Sequence, residues 1–174
     1  AGSDDFEQAF VTLAFARETA GALADQAAHL VIVGHGPQHE ALQQQIVQLG
    51  LQQRVTMPGN QDNVVPWLQA LDIFALPSYA NEGVPQAMLQ AMLVGLPIIT
   101  TPVGSITEAI EHQANGLIVA PENSAALQAA LERLLAAPDY ARQLGDAARQ
   151  TALARYSMDA MLDKMERIFL HQTA

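Results

Sequence analysis

The fold of this chain is indicated most clearly by residues 73–100, which read IFALPSYANEGVPQAMLQAMLVGLPIIT. Two short apolar runs, 73–76 and 97–100, enclose a stretch from 84 to 94 that has the length and composition of a helix. Gly95 ends this stretch, as glycine commonly does at the C-terminus of a helix. The apolar runs contain no alternating polar residues, which predicts strands buried on both faces. Such strands, joined by a crossover helix, are typical of a parallel sheet in an α/β protein.

The same alternation of strands and helices continues on both sides of this stretch. Upstream, a stripe of apolar residues at helical spacing predicts a helix over 4–23, formed by Phe6, Phe10, Leu13 and Ala14. Downstream, Ser105-Ile106-Thr107-Glu108 matches a capping box and predicts that a helix starts at Ser105. The other predicted strands cover 29–33, 54–57 and 117–120, and the other predicted helices cover 37–49, 62–70, 124–136, 138–154 and 158–171.

Composition limits the classes of function that the chain can have. Its 174 residues, half of them hydrophobic, suit one globular domain, 1–174. Eight Lys and Arg against 18 Asp and Glu give a net charge of −10, the wrong sign for neutralising the phosphates of nucleic acid. The absence of cysteine excludes disulfides, thiolate metal sites and cysteine nucleophiles. We therefore expect no nucleic-acid partner and no cysteine chemistry.

Location is predicted by similar arguments. A chain without cysteine suits a reducing compartment, so the cytoplasm is the default. The apolar runs fall far short of the ~20 residues that span a bilayer. Acidic Asp4, Asp5 and Glu7 stand where a signal peptide would be basic. We expect neither a transmembrane segment nor an export signal, and peripheral association with a membrane stays open.

The loops that follow strands carry the candidate site, because ligands of open α/β sheets bind outside the carboxyl ends of the strands. The first loop, Gly34-His35-Gly36-Pro37, is either a tight turn with Pro37 in the first helical turn or a backbone that closely approaches a phosphate. It lacks the third glycine of a dinucleotide fingerprint. The second loop, Met57-Pro58-Gly59-Asn60, is on its own a turn that can offer backbone groups to a flat ring.

The third loop leads from the strand at 73–76 into the helix that follows. Pro85 suits the first helical turn, which would leave nearby amides without partners above the sheet. Unpaired amides at a helix N-terminus form an anion site that needs neither lysine nor arginine. The amides expected to take part belong to Gly83, Val84, Gln86 and Ala87.

Four polar side chains near these loops have two interpretations each. Glu82 either stabilises the helix dipole or contacts a ligand, and Gln90 is either a surface residue or a ligand contact. Thr100 and Thr101 either cap the next helix or touch ligand. The chain contains no nucleophile elbow, no metal-ligand spacing and no Walker-type Gly-Lys-Ser, so hydrolase and nucleotide-triphosphatase functions are not predicted.

Taken in order, the motifs resemble the C-terminal, donor-binding domain of glycosyltransferase family 4, whose members have the GT-B fold. The resemblance runs along nearly the whole chain. It implies a Rossmann-like, doubly wound parallel sheet that forms the C-terminal half of a GT-B enzyme. The matching pieces are LVIVGHGP (30–37), RVTMPG (54–59), ALDIFALPS (70–78), EGVP (82–85) with QAM (90–92), GLPII (95–99), VG (103–104) with Glu108, and NGLIV (115–119).

The resemblance implies transfer of a sugar from a nucleotide-diphosphate donor to a glycan or lipid-linked acceptor, with retention of configuration and without a metal. Family members use two glutamates at the spacing of residues 82 and 90. The first, here Glu82, contacts donor-sugar hydroxyls and is the implied catalytic residue, whereas the second bonds ribose and is replaced here by Gln90. The predicted donor-binding positions are Gly34, Gly36, Met57, Gly59, Gly83, Val84, Pro85, Gln86 and Gln90.

The chain departs from the family pattern at its start. In the family, a strand carrying an arginine and a lysine that neutralise the diphosphate precedes the first helix, whereas this chain begins Ala1-Gly2-Ser3 there. We therefore expect an inactive fragment without the central first strand and without the acceptor-binding N-terminal domain, which would be its partner. The strands near 30 and 73 should then pair directly or leave a gap for a foreign strand.

Two alternatives remain at this point. One is half of a GT-B-type sugar-nucleotide epimerase, which would need more acidic and histidine side chains in the loops than this chain has. The other is a non-catalytic flavodoxin-like binding module, which would need an acidic cluster at the first strand end or a flavin loop.

Overall fold

The computed structural model describes residues 12–17, 28–79 and 83–171. The chain divides into two compact units, Ala1–Leu76 and Pro77–Ala174. Each unit has its own strands, helices and buried residues.

Among the described residues, the first unit has four strands and two helices. They are β1 Thr12–Arg17, β2 Ala28–Val33, α1 His39–Gln48, β3 Val55–Gly59, α2 Val65–Gln69 and β4 Ile73–Leu76. The strands lie in the order β3, β2, β1, β4, and β2 runs parallel to β3. All four residues of β4 are buried, as the unbroken apolar run predicts. The other buried apolar residues among the described side chains of this unit are Val31, Ile32, Leu68 and Leu71.

The centre of this strand order departs from the prediction. β1 lies between β2 and β4 and runs antiparallel to both, with Thr12 opposite Val33 and Phe15 opposite Ile73. The helix predicted over 4–23 is therefore wrong at 12–17, and its other residues lie outside the described part of the chain. The expected lack of a central strand, with either direct pairing of the strands near 30 and 73 or a gap for a foreign strand, is also wrong, because β1 of this chain lies between them.

Backbone pairing explains why this segment is a strand. β2 and β4 each present a row of amides and carbonyls on the side facing the other, and buried backbone groups need hydrogen-bond partners. A strand between them provides hydrogen-bond partners for both rows. The stabilisation from these bonds outweighs the weak helical pattern of the sequence. An antiparallel strand thus occupies the place that a parallel strand holds in a doubly wound sheet.

The second unit is mainly helical in its described part. Its elements are α3 Gln86–Val94, β5 Ile98–Thr100, a 3₁₀ turn Ile106–Glu108, β6 Leu117–Ile118, α4 Ser124–Ala136, α5 Pro138–Tyr156 and α6 Met158–His171. β5 and β6 form a parallel pair, with Ile99 opposite Leu117. α4 and α6 have the bounds predicted from the sequence. The capping box is wrong, because only a single 3₁₀ turn follows Ser105 and the serine side chain makes no capping hydrogen bond.

Asn115 fastens the loop before β6 to α5. Its side chain is buried, its Oδ1 accepts from the Glu111 amide at 2.7 Å, and its Nδ2 donates to the Ala109 carbonyl at 2.9 Å. The same Nδ2 donates to Oγ1 of Thr151 on α5 at 3.1 Å. The Asn-Gly motif at 115–116 is therefore a structural feature, in which one buried amide side chain bonds two backbone groups and a threonine hydroxyl.

Helix α6 exposes an apolar face. The face repeats at helical spacing, and its large side chains are about half exposed: Met158, Met161, Leu162, Met165, Ile168 and Phe169. In the part of the chain that the structure describes, no helix is both long and apolar enough to cross a membrane.

Candidate functional site

The first two predicted loops meet at a pair of glycines in the first unit. The Gly34 amide donates a hydrogen bond to the Gly59 carbonyl at 3.0 Å. Gly34 has a φ of 127° and Gly59 a φ of 73°, conformations that residues with a Cβ rarely adopt. The structure thus brings the Gly34 loop and the Gly59 loop together, as expected where two parallel strands end side by side.

Gln61 holds the second loop in place. Its Nε2 donates to the Pro58 carbonyl at 3.0 Å, and its Oε1 accepts from the Trp67 indole nitrogen on α2 at 3.1 Å. Met57, in β3, is half-buried. Sequence reasoning missed this bridge, because nothing in a lone glutamine between a turn and a helix predicts two specific partners.

The first loop ends in a turn before α1 begins. The His39 amide donates to the Gly36 carbonyl at 2.9 Å, and α1 starts at His39, two residues later than predicted. Pro37 is therefore in the turn and not in the helix. The rings of His35 and His39 lie with centroids 4.5 Å apart beside this turn. Both the tight-turn interpretation and a glycine backbone open to an anion remain compatible with this geometry.

The start of α3 carries the second group of predicted residues. Pro85 is the N-cap residue in an extended conformation and, contrary to the prediction, does not lie in the first helical turn. The helix begins at Gln86. The first bond of the helix joins the Leu89 amide to the Pro85 carbonyl, so the helix itself leaves the amides of Gln86, Ala87 and Met88 without partners. Among the described residues, no side chain caps them. They form a cluster of donors at the positive end of the helix dipole.

The two faces of α3 differ sharply in burial. Met88, Ala91 and Met92 are fully buried on one face. Gln86 and Gln90 lie on the opposite face, four residues apart and therefore one above the other. Gly83 is exposed and Val84 half-buried before the helix begins. Gln90 is half-buried and lies on the same side of α3 as the exposed Gln86, whereas Glu82 lies outside the described residues.

The two threonines at the end of β5 are structural. Thr100 and Thr101 are completely buried, and Oγ1 of Thr101 donates to the Ser78 carbonyl at 2.5 Å. The backbone carbonyl of Thr100 accepts from the Val119 amide at 2.8 Å. The Thr101 hydroxyl therefore ties the loop after residue 77 to the end of β5, and the ligand-contact interpretation of this residue is wrong.

Charge around these loops is sparse. Of the eight Lys and Arg residues, only Arg17 and Arg54 precede Arg133. Across residues 12–17, 28–79 and 83–171, no group of three or more His, Cys, Asp or Glu is placed to hold a metal ion. Backbone amides are accordingly the main anion donors that the described loops offer.

Comparison with known proteins decides the family. A family model described as glycosyl transferases group 1 matches residues 8–137, a span that includes both glycine loops, α3 and β5. The chain belongs to the group 1 glycosyltransferases. The resemblance predicted from the order of the motifs is confirmed.

Similar proteins support the same assignment. The N-acetyl-alpha-D-glucosaminyl L-malate synthase of Bacillus anthracis is 30% identical over 82% of this chain and 37% of its own length. HepE of Anabaena, solved in complex with UDP-glucose, is 26% identical with a TM-score of 0.73 over 81% of this chain and 40% of its own. The C-terminal domain of a group 1 glycosyl transferase, LpcC from Francisella tularensis, is 25% identical with a TM-score of 0.62, over 69% of this chain and 63% of its own.

The comparisons also set the extent of the match. The chain spans about two fifths of the length of the B. anthracis and Anabaena relatives. The predicted α/β fold class and its likeness to part of GT-B glycosyltransferases are confirmed. The roles predicted for Glu82 and for the nine donor-binding positions stay predictions.

Proposed function

We propose that this chain binds the nucleotide-diphosphate sugar donor of a retaining glycosyltransferase, and that the N-terminus of α3 holds the donor diphosphate. One observation carries the proposal: three successive amides of α3, which follow Gly83, Val84 and Pro85, have no helical partner and no capping side chain among the described residues. Such amides are a ready anion site. The Anabaena relative bound UDP-glucose, which supports a sugar nucleotide as the ligand.

The chemistry follows from where charge develops. When the glycosidic bond to the diphosphate breaks, negative charge builds up on the leaving phosphate oxygens. Amides fixed in position by α3 stabilise that charge without reorganising, and this stabilisation can replace a divalent cation. We therefore propose donor binding that needs no metal.

The remaining predicted residues complete the donor site in this proposal. Glu82 contacts the donor-sugar hydroxyls next to the reacting carbon, immediately before the amides that hold the diphosphate. Gln90, on the same side of α3 as the exposed Gln86, bonds the ribose hydroxyls. Gly34, Gly36, Met57 and Gly59 offer backbone groups to the nucleotide.

The acceptor side belongs to the rest of the enzyme. Because the chain spans only part of its relatives, we propose that an acceptor-binding domain completes the active site in the cytoplasm, where peripheral contact with a membrane is compatible with a lipid-linked acceptor. The exposed apolar face of α6 supports such a partner, since contiguous apolar patches mark interaction surfaces. A role in polysaccharide assembly is supported by relatives such as the putative colanic acid biosynthesis glycosyltransferase WcaL of Escherichia coli.

Calorimetric titration with UDP and with GDP, each in the presence of EDTA, tests the proposal. We expect saturable binding of at least one nucleotide and the same affinity when EDTA is replaced by Mg²⁺. No binding at millimolar nucleotide would contradict a donor-binding function. Binding that appears only with Mg²⁺ would contradict the metal-free diphosphate site. The family match favours the transferase over the epimerase and flavodoxin-like alternatives.

A further inference from the structure

Gly145, in the middle of α5, lies against the turn that ends α3. A Cβ built on Gly145 would lie 2.1 Å from the Gly95 carbonyl oxygen and 3.2 Å from the Pro97 nitrogen. The first distance is a clash and the second a tight contact, and both groups are backbone, so no side chain can rotate away to make room. We infer that Gly145 is a positioning residue for the donor site, an inference that rests on the proposed function of the α3 N-terminus.

The contact acts directly on α3. Gly95 caps the C-terminus of α3 in the left-handed conformation, and its amide bonds to the carbonyls of Ala91 and Met92. The Leu96 amide also bonds to the Ala91 carbonyl, which closes the helix end firmly. α3 has only nine residues and is about 14 Å long at 1.5 Å per residue. Because so short a helix moves as a rigid body, a displacement of Gly95 also displaces the amides at Gln86.

The same turn also sets the position of β5. Pro97 immediately precedes β5, whose far end continues into buried Thr101. The Thr101 hydroxyl holds the Ser78 carbonyl, so the loop that leads toward α3 is fastened to the strand that Pro97 begins. A displacement at Gly95–Pro97 therefore reaches the donor site by two routes within the second unit.

α5 is held on the other side of the contact. Oγ1 of Thr151 accepts from buried Asn115, and Nη1 of Arg155 donates to the Glu108 carbonyl at 2.7 Å. Ala148 and Ala152 on the same helix are fully buried. With α5 anchored along its C-terminal half, an atom added at Gly145 moves the Gly95 turn and not α5.

The test compares Gly145→Ala with Ala148→Gly. Both change one buried position of α5, but Ala148→Gly adds no atom near the turn and only lowers the helix propensity of α5. Three quantities are measured for each: the thermal midpoint, the affinity for UDP well below that midpoint, and the backbone amide chemical shifts of Gln86, Ala87 and Met88 without ligand. For Gly145→Ala we expect about tenfold weaker UDP binding and shifted amide resonances, and for Ala148→Gly neither change.

Lower stability of Gly145→Ala with unchanged amide shifts would overturn the inference and leave Gly145 a purely structural residue. If the wild-type chain binds no nucleotide, the proposed function fails, while the amide shifts still decide whether Gly145 positions α3. If Gly145→Ala does not fold, Arg149→Ala is measured in the same way, because the Arg149 side chain, one turn further along α5, also lies beside the Gly95 turn, with its Cδ 3.8 Å from a Cβ built on Gly95. Unchanged amide shifts in that variant would overturn the inference.

Discussion

The Gly34 amide donates a 3.0 Å hydrogen bond to the Gly59 carbonyl, and both residues have left-handed φ values. This bond joins the loop after β2 to the end of β3. It fixes two of the predicted donor-binding loops relative to each other before any ligand is present. The backbone conformation of this pair is therefore part of the site.

Gly59 should contribute to stability because its backbone adopts a left-handed φ, and not because a side chain would have no room there. No atom lies within 4 Å of a Cβ built on Gly59, yet its φ of +73° is unfavourable for alanine. We expect Gly59→Ala to lower the free energy of unfolding by about 1–2 kcal/mol in urea denaturation. Gly83→Ala is the matched control, because Gly83 has equally open surroundings without a left-handed φ. Equal stabilities of the two variants would contradict the strain argument.

Thr101 should matter through its hydroxyl. In Thr101→Val the Ser78 carbonyl loses the donor that the fully buried Thr101 side chain provides, at a cost of about 1–3 kcal/mol in the free energy of unfolding. Thr101→Ser keeps the hydroxyl and loses only a methyl group, so it should retain more of the wild-type stability. A Thr101→Val variant as stable as Thr101→Ser would show that the bond to Ser78 contributes nothing.

Gln90→Glu should strengthen donor binding. A hydrogen bond to a charged group is worth about 1.5–3 kcal/mol against about 1 for a neutral pair, so restoring the family's carboxylate should lower the Kd for UDP about tenfold. Gln86→Glu, one turn earlier on the same face, places the same charge beside the diphosphate site and should weaken binding. Calorimetry measures the Kd for UDP of both variants, which should fall for Gln90→Glu and rise for Gln86→Glu. The same change of Kd in both variants would contradict the assignment of Gln90 to the ribose.

Much of the fold could be predicted where apolar runs and helix-end signals agree. β4, α4 and α6 have the predicted bounds, because β4 is apolar throughout and the two helices are periodic over their whole lengths. The segment at 12–17 could not be predicted, since its strand conformation depends on backbone partners in β2 and β4 that are distant in sequence. The helix predicted from the capping box at Ser105 was wrong, because only one 3₁₀ turn follows and the serine side chain does not cap it.

The loops of the candidate site were predictable in order but not in detail. Positions 34, 59 and 83–90 follow from strand ends and from the family resemblance. The partners of Gln61 and Thr101 and the close approach of Gly145 to Gly95 depend on three-dimensional packing. A glycine inside α5 looks unfavourable in sequence, and only the structure shows that backbone already fills the space of its missing side chain.

The amide of Gln86 provides the most direct test of the central claim. Gln86→Pro removes this donor at the first helical position, where proline is well tolerated, and Pro85 before it has the extended conformation that proline requires (φ −66°, ψ 129°). Gln86→Ala keeps the amide and measures the side chain alone. Met158→Pro makes the same change at the start of α6 and controls for stability.

The measurement is the Kd of each variant for UDP, by calorimetry in EDTA. We predict that Gln86→Pro binds about tenfold more weakly than Gln86→Ala, because a hydrogen bond to a charged phosphate is lost, and that Met158→Pro binds as the wild type does. Equal UDP affinities of Gln86→Pro and Gln86→Ala would contradict a diphosphate site made of α3 backbone amides.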